Sequence, residues 1–332
     1  MSKPKQVFIT GGAGYVGAVL VPKLLARGHR VKVLDLYIYG EDVLDAVKGH
    51  PHLTQIKGDL RDRGLLNREI RGFDTVLHLA CISNDPSFEL NPELGRSINY
   101  DAFLDLVATA ARAGVKNFLY ASSSSVYGIK DEPEVTEDLP LEPLTDYSKY
   151  KALCEQVLLE AASDNFVATI IRPSTVCGYS PRQRLDLTIN ILTNHAVNKG
   201  EITVFGGEQQ RPNLHIEDMT DLYVYLLDLP DDKIRNKIWN VGYQNLKVRE
   251  IAEIVQRVID PKLPIKTVPT DDIRSYHVSS RRIAGDIGFV ARHTVEEAVL
   301  DLKRAFAQGK IPNPLEEVRY YNIRMMQALN LH

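Results

Sequence analysis

The chain has 332 residues, of which 44% are hydrophobic and 25% are charged, and its formal net charge is −3. This composition is ordinary for a globular protein with a sizeable core, and the charge gives no indication of a nucleic-acid partner. Three scattered cysteines indicate a reducing compartment, and neither they nor the nine histidines have metal-ligand spacing. No stretch reaches the ~20 apolar residues of a membrane span, so we expect a cytoplasmic protein without a membrane or metal partner.

The first half of the chain alternates β-branched runs with helical patterns. This alternation predicts an α/β fold with a parallel sheet that is covered by helices on both faces. Asn91 and Pro92 begin the fourth helix and Gly114 follows its end. The predicted strands cover 6–10, 30–35, 53–59, 74–80, 116–122 and 166–173, and the predicted helices lie near 15–27, 41–48, 62–70, 92–113 and 145–162.

Beyond Pro173 the pattern becomes less regular. Helices are predicted near 185–199 and 217–228, and the segment KVREIAEIVQRVI is clearly amphipathic. We therefore predict a first domain at 1–172, to which the segment 212–230 returns. A smaller α/β domain at 173–332 closes over it.

A glycine-rich segment, TGGAGYVG, links the first predicted strand to the first helix. Gly11, Gly14 and Gly17 have the spacing GxxGxxG, which allows a tight turn and a close approach of the backbone to a pyrophosphate. Asp35 ends the second strand, where a carboxylate can meet ribose hydroxyls and repel a 2′-phosphate. The pattern predicts a Rossmann-type, doubly wound dinucleotide-binding sheet that takes NAD and not NADP.

A tyrosine and a lysine in DYSKYK indicate acid–base chemistry. Tyr147 and Lys151 are four residues apart, so they share one helix face. A cation ~5 Å from the phenol would lower its pKa by about two units, and a positive nicotinamide ring would lower it further. We therefore expect Tyr147 to titrate near physiological pH. Tyr150 is a weaker candidate, because the residue four positions later is Cys154.

Together with GDLRD, HLAC, Asn99, YASSSSVYG and IIRPSTVCG, these motifs resemble the extended short-chain dehydrogenase/reductase family. More closely, the chain is similar to its nucleoside-diphosphate-sugar epimerase/dehydratase group, over nearly its whole length. The resemblance implies an NAD-binding domain at 1–172 and a nucleotide-sugar-binding domain at 173–332. It also implies a homodimer formed through the helices 92–113 and 145–162.

The resemblance assigns roles to individual residues. Tyr147 would be the acid/base, Lys151 would hold the nicotinamide ribose, and Ser123 would hydrogen-bond the reacting sugar hydroxyl. Further cofactor contacts would come from Gly11, Gly14, Tyr15, Val16, Gly17, Asp35, Asp59, Leu60, Leu79, Ala80, Asn99, Ser122 and Pro173. The substrate would meet Ser123, Ser124, Thr175, Arg182, Arg211 and Arg274, with Arg184 as a further candidate.

The two serines that follow Ser123 narrow the reaction. The family's 4,6-dehydratases have an Asp-Glu pair there, so Ser124 and Ser125 disfavour water elimination. Members that epimerise beside the keto group carry a cysteine near Ser125, or a histidine where this chain has Ser180. What remains is oxidation and reduction at C4 of the sugar, by a 4-epimerase or by a dehydrogenase or ketoreductase that releases its product.

A non-catalytic NAD-sensing regulator on the same fold is an alternative of a different class. The intact set of Ser123, Tyr147 and Lys151 argues against it, because a sensor has no need of a polarised phenol. The sequence does not choose between the epimerase and the dehydrogenase, since both use the same residues.

Overall fold

The structure is a computed structural model that describes residues 3–270, 275 and 277–331. Its strands are β1 (Gln6–Thr10), β2 (Arg30–Asp35), β3 (Leu53–Lys57), β4 (Thr75–His78), β5 (Asn117–Ala121), β6 (Val167–Pro173), β7 (Thr175–Cys177), β8 (Ile202–Phe205), β9 (Gln210–His215), β10 (Lys237–Val241), β11 (Gln244–Lys247) and β12 (Ile265–Val268).

The helices of the first half are α1 (Gly17–Ala26), α2 (Arg63–Glu69), α3 (Asp85–Glu89), α4 (Pro92–Arg96), α5 (Ala102–Arg112) and α6 (Asp146–Ala161). Those of the second half are α7 (Thr188–Asn198), α8 (Ile216–Asp228), α9 (Asp231–Ile234), α10 (Val248–Ile259), α11 (Arg281–Ile287), α12 (Val295–Ala307) and α13 (Asn322–Ala328).

Within the described residues, seven strands form one parallel sheet in the order β3-β2-β1-β4-β5-β6-β10. This confirms the predicted α/β, Rossmann-type architecture. The strand order reverses direction between β1 and β4, and sheets of this kind bind ligands beyond the carboxyl ends of the strands at such a point. The last strand, β10, comes from the second half of the chain and pairs with β6.

Helices cover both faces of this sheet. On one face, Leu20 and Leu24 of α1 share a core cluster with Leu222 and Tyr223 of α8, and all four side chains are fully buried. Burial of each such leucine contributes about 1.5–3 kcal/mol. The other face packs against α2, α5 and α6. The helix α8, from the predicted return segment, therefore covers the main sheet.

The second half adds smaller layers beside the cleft. Strands β7, β9 and β11 form a mixed three-stranded sheet, and β8 pairs with β12. A separate core cluster joins α7, α10 and α12. Among the described residues, no helix has both the length and the apolar character that crossing a bilayer requires.

Two predicted helices differ from the structure. The prediction of a helix over 41–48 was wrong: only a 3₁₀ turn forms at Asp45–Val47, because the backbone leaves helical geometry at Leu44 (φ −111°, ψ 17°), whose side chain is buried in the core. The helix predicted at 92–113 is continuous, but Ser97–Asp101 forms a π-helical turn between α4 and α5. Asn91 caps its start through a bond from the Leu94 amide, as predicted.

Candidate functional site

A cleft crosses the carboxyl ends of the central strands and divides into adjoining cavities. The inner cavity, of about 320 Å³, is lined by the glycine-rich loop, by Ser122–Ser125, and by Tyr147 and Lys151. The outer cavity, of about 160 Å³, lies beside Asp35. The two share the lining residues Gly11, Gly14, Tyr39, Leu79, Cys81 and Ser83. A long ligand could therefore extend from one cavity into the other past the glycine-rich loop.

The glycine-rich loop packs so closely against neighbouring backbone that two of its glycines could not carry a side chain. Gly11 has φ +78°, and a Cβ there would come within 2.5 Å of the Ala80 nitrogen. A Cβ on Gly17 would lie 2.4 Å from the Gly12 carbonyl oxygen. Tyr15 and Val16 complete this wall of the inner cavity. The geometry fits a pyrophosphate that approaches the backbone at a helix N-terminus.

Asp35 is held at the end of β2 with both oxygens engaged. The Ala13 amide donates to Oδ2 and the Tyr37 amide donates to Oδ1, each at 2.9 Å. Burial raises the pKa of Asp35, whereas the two backbone hydrogen bonds lower it. The carboxylate lines the outer cavity, together with the predicted cofactor residues Asp59, Leu60, Leu79 and Ala80. A hydrogen bond from Arg61 lowers the pKa of Asp59.

Two predicted cofactor residues are engaged elsewhere. Asn99, inside the π-helical turn, accepts a bond from the Ile82 amide at 2.8 Å and donates to the Ile82 carbonyl at 2.9 Å. It therefore fixes the loop after β4. Ser122 lines the inner cavity, but its hydroxyl donates to Glu155. Pro173 lines the same cavity at the end of β6.

The three predicted catalytic residues meet in the inner cavity. Tyr147 and Lys151 lie on the first turns of α6, which begins with a capping box at Thr145. The Lys151 Nζ donates to the Ala121 carbonyl at 2.6 Å and lies 5.9 Å from the centre of the Tyr147 ring. Ser123 interacts with Tyr147, and its hydroxyl is hydrogen-bonded to the Ser125 hydroxyl at 2.8 Å. The arrangement can orient a substrate hydroxyl between a phenol and a serine.

The pKa of Tyr147 differs from the sequence-based expectation. Burial raises its pKa well above the ordinary value, and Cys81 and Asp85 raise it further. The positive charge of Arg184 and the hydrogen bond with Ser123 lower it, but by less. The prediction of a phenol that titrates near physiological pH was therefore wrong for the protein alone, because the walls of the inner cavity displace much of the water around the phenol.

A buried network behind Ser122 was missed by sequence reasoning. Glu155 accepts from Ser122 and forms an ion pair with Arg172, with the Arg172 Nη2 at 2.6 Å from Oε2. Arg172 also donates to the Tyr127 hydroxyl at 2.7 Å. Glu155 lies four residues after Lys151 and so on the same helix face, which is the one signal that could have pointed to it.

A third cavity, the substrate-side cavity of about 240 Å³, continues from the inner one. It shares Asp85, Ser125 and Thr175 with the inner cavity and reaches Arg211. Ser124 faces the inner cavity. The structure thus brings Ser123, Ser124, Thr175 and Arg211 along one path. Arg274 lies outside the described residues.

The two arginines of SPRQRLD take different positions. Arg184 lines the inner cavity and its Nε donates to Asp186 at 3.0 Å. Arg182, predicted to meet the substrate, packs over the Tyr39 ring and donates to Asn322. The Nε of Arg182, the Nη2 of Arg184 and the Ser174 hydroxyl are buried without a hydrogen-bond partner in the described structure. Such polar atoms beside a cavity are expected where a polar ligand binds.

Comparisons with known proteins agree with this geometry. The model of the NAD dependent epimerase/dehydratase family matches residues 7–242. A UDP-glucose 4-epimerase of Lactobacillus helveticus is 28% identical over 279 residues, which cover 77% of this chain and 83% of that protein. A solved UDP-N-acetylglucosamine 4-epimerase of Methanobrevibacter ruminantium is 25% identical with a TM-score of 0.83, over 92% of this chain and all of that one.

One further solved structure shows the same fold around a bound dinucleotide. It is a dTDP-glucose 4,6-dehydratase of Streptomyces venezuelae with NAD bound, 24% identical with a TM-score of 0.83, and the match covers 94% of this chain and all of that one. The family match and the cavities described above identify NAD as the cofactor.

Proposed function

Because this chain belongs to the NAD dependent epimerase/dehydratase family, we propose that it is a nucleoside-diphosphate-sugar 4-epimerase. One observation carries the proposal. Ser123, Tyr147 and Lys151 lie in a cavity that adjoins the glycine-rich loop on one side and the path to Arg211 on the other. The similarity to two 4-epimerases, at 28% and 25% identity, supports the choice of reaction.

In the proposed reaction, Tyr147 takes the proton of the C4 hydroxyl and later returns a proton to the same oxygen. Ser123 hydrogen-bonds that oxygen and holds it against the phenol. Bound NAD would supply the hydride acceptor and donor. Lys151, anchored on the Ala121 carbonyl, would hold the nicotinamide ribose. Asp35 would bind the adenosine ribose and exclude a 2′-phosphate.

The diphosphate and the sugar would occupy the substrate-side path. Arg211 offers a guanidinium for bidentate binding of phosphate, and Thr175 and Ser124 offer hydroxyls to the sugar. Ser124 and Ser125 stand where a dehydratase needs a carboxylic acid and a base. We therefore place the reaction at one carbon, without loss of water.

We further propose that the chain forms a homodimer through the helical segments 92–113 and 145–162. Leu104 on α5 and Leu153 on α6 are exposed apolar residues on these helices. Light scattering coupled to size-exclusion chromatography gives the mass in solution. A mass of two chains agrees with the proposal, and a monomer at all concentrations contradicts it.

The reaction is tested with a panel of UDP-, GDP-, CDP- and dTDP-sugars. NMR identifies the sugar formed while absorbance records net NADH. We expect a C4 epimer without accumulating NADH. Stoichiometric NADH with a keto-sugar means a dehydrogenase, and the absence of any product across the panel contradicts both.

Two variants show whether Tyr147 carries the reaction. Tyr147→Phe is expected to lower kcat by about 10²–10⁴-fold, because it removes the acid/base. Tyr150→Phe is the matched control on the same helix, since Tyr150 packs between the rings of Phe88 and Tyr100. Equal activity in the two variants contradicts the role of Tyr147.

A further inference from the structure

Four residues from distant segments form a bridge across the place where the inner and outer cavities join. Tyr39 follows β2, Ser83 follows β4, Arg182 lies in the loop after β7, and Asn322 begins α13. The Arg182 guanidinium lies 3.5 Å from the centre of the Tyr39 ring and its Nη2 donates to Asn322 Oδ1 at 2.6 Å. The Asn322 amide donates to the Ser83 hydroxyl at 2.9 Å. We refer to this set as the Arg182 bridge.

The bridge lies beside both cavities. Tyr39 and Ser83 line both of them, Arg182 lines the inner cavity and Asn322 lines the outer one. A dinucleotide that places one nucleoside in each cavity must carry its pyrophosphate across this junction. The pyrophosphate would then pass between the glycine-rich loop and the Arg182 bridge.

The charge of Arg182 is buried, and within the described residues it forms no ion pair. The residue is 3% exposed, and its partners are the neutral Asn322 amide, the Gln183 carbonyl and the Tyr39 ring. Within the described part of the chain, no carboxylate forms an ion pair with it. Its neighbour Arg184, by contrast, is paired with Asp186 at 3.0 Å. Burying a guanidinium without an ion pair is unfavourable, and a bound anion would offset that cost.

Two further observations indicate that Arg182 can take an anionic ligand. The Nε of Arg182 is buried and has no hydrogen-bond partner in the described structure. Burial lowers the pKa of Arg182 to about 10, and the charge of Arg184 lowers it further, whereas Asp186 raises it. Arg182 also acts on Asp35: burial raises the pKa of Asp35, and the charge of Arg182 is among the influences that lower it.

We propose that Arg182 is a ligand of the NAD pyrophosphate, supplied by the loop after β7, and that the Arg182 bridge closes over the bound dinucleotide. A guanidinium forms short, charge-assisted pairs with phosphate oxygens, and no other residue of the bridge is charged. Arg182 thus serves the cofactor in place of the predicted substrate role. The bridge slows release of the dinucleotide. Under the proposed epimerase function, the bridge keeps the reduced cofactor bound until the keto-sugar takes its hydride back.

The test measures ligand binding and needs no sugar reaction. Dissociation constants for NAD, ADP-ribose and adenosine are determined by calorimetry on wild type, Arg182→Met and Arg182→Lys, after bound nucleotide has been removed. In Arg182→Met we expect NAD and ADP-ribose to bind about 10- to 100-fold more weakly, as for the loss of a charge-assisted hydrogen bond, while adenosine is unaffected. Arg182→Lys keeps the positive charge but lacks the planar guanidinium that can bind phosphate through two hydrogen bonds. Its dissociation constants for NAD and ADP-ribose are expected to be intermediate. The dissociation rate of NAD should rise in the same order.

Arg324→Met is the matched control. Arg324 also packs over a tyrosine, 4.0 Å from the centre of the Tyr321 ring, and donates to the Leu315 carbonyl, but it lies outside both cavities. It should bind all three ligands as wild type does. The proposal is overturned if Arg182→Met binds NAD like the control, or if adenosine is weakened as much as NAD, since that result means a general collapse of the cleft.

The outcomes are separable from those of the sugar panel. If no sugar is epimerised but Arg182→Met binds NAD and ADP-ribose more weakly, this inference stands and the proposed reaction fails. If a sugar is epimerised but Arg182→Met and Arg324→Met bind NAD equally well, the proposed reaction stands and this inference fails.

Discussion

Arg172 and Glu155 form a two-pronged ion pair in the interior, with the Arg172 Nε 3.0 Å from Oε1 and Nη2 2.6 Å from Oε2 of Glu155. The two side chains are 4% and 3% exposed. Glu155 also accepts a hydrogen bond from Ser122, and Arg172 donates one to the Tyr127 hydroxyl. The pair therefore joins α6 and β6 to the segment that follows β5. Ser122, directly before Ser123, and Tyr127, four residues after it, are thus held by a pair that lines neither the inner nor the outer cavity.

Glu155→Gln should destabilise the fold strongly. The change leaves the Arg172 charge buried without its counterion, which typically costs about 3–5 kcal/mol in the free energy of unfolding. Urea denaturation measures the loss. Glu296→Gln is the control, because the Arg257–Glu296 pair is exposed and should change stability by about 1 kcal/mol or less. Equal losses in the two variants would show that the buried pair does not hold this part of the fold.

Gly11→Ala should abolish NAD binding. Gly11 has φ +78°, and the added Cβ would come within 2.5 Å of the Ala80 backbone nitrogen, so the loop must move away from the sheet. Calorimetric titration with NAD measures the effect. Gly285→Ala is the control: its Cβ would meet no atom within 4 Å, and in helix α11 alanine should stabilise by about 0.5–1 kcal/mol. NAD binding by Gly11→Ala at wild-type affinity would refute the assigned role of the loop.

Asp35→Asn should relax the choice between NAD and NADP. The carboxylate lines the outer cavity and would repel a 2′-phosphate, and the neutral amide removes that repulsion. We expect the ratio of the two dissociation constants to move toward NADP by about tenfold or more. Asp164→Asn, at a fully exposed position, should leave the ratio unchanged. An unchanged ratio in Asp35→Asn contradicts the role assigned to this residue.

Arg184→Met should shift the pH dependence of catalysis. Burial raises the pKa of Tyr147, and the positive charge of Arg184 is among the influences that lower it. Removal of that charge therefore raises the pKa, and a step that needs the phenolate loses rate as the pH falls through the new value. The acidic limb of the kcat profile should move to higher pH, with a lower rate at neutrality.

Arg304→Met, which removes an exposed arginine far from the inner cavity, controls for the change in net charge. Its kcat profile should match that of wild type. A shift of the acidic limb to lower pH in Arg184→Met would contradict the effect assigned to the Arg184 charge on the pKa of Tyr147.

Local patterns predicted much of the site. The spacing of Gly11, Gly14 and Gly17 and the position of Asp35 follow from one strand–helix–strand unit. The four-residue spacing of Tyr147 and Lys151 places both on one helix face. The strand order could not be predicted in full, because the pairing of β10 with β6 is visible only in the structure.

Features that depend on distant partners could not be predicted. Arg182 meets Asn322 across 140 residues of sequence, and Glu155 meets Ser122 across 33. Periodicity carries no information about such pairs, since it describes one element at a time. The raised pKa of Tyr147 has the same origin, because burial depends on the walls that other segments supply.

In the proposed reaction, hydride leaves C4 of the sugar and returns to the same carbon. It is tested with UDP-glucose deuterated at C4, or with the sugar that the panel identifies, deuterated in the same way. We predict that the C4 epimer retains its deuterium and that no NADH accumulates. A keto-sugar with deuterium transferred to released NADH, or an epimer whose deuterium has exchanged with solvent, would contradict the account.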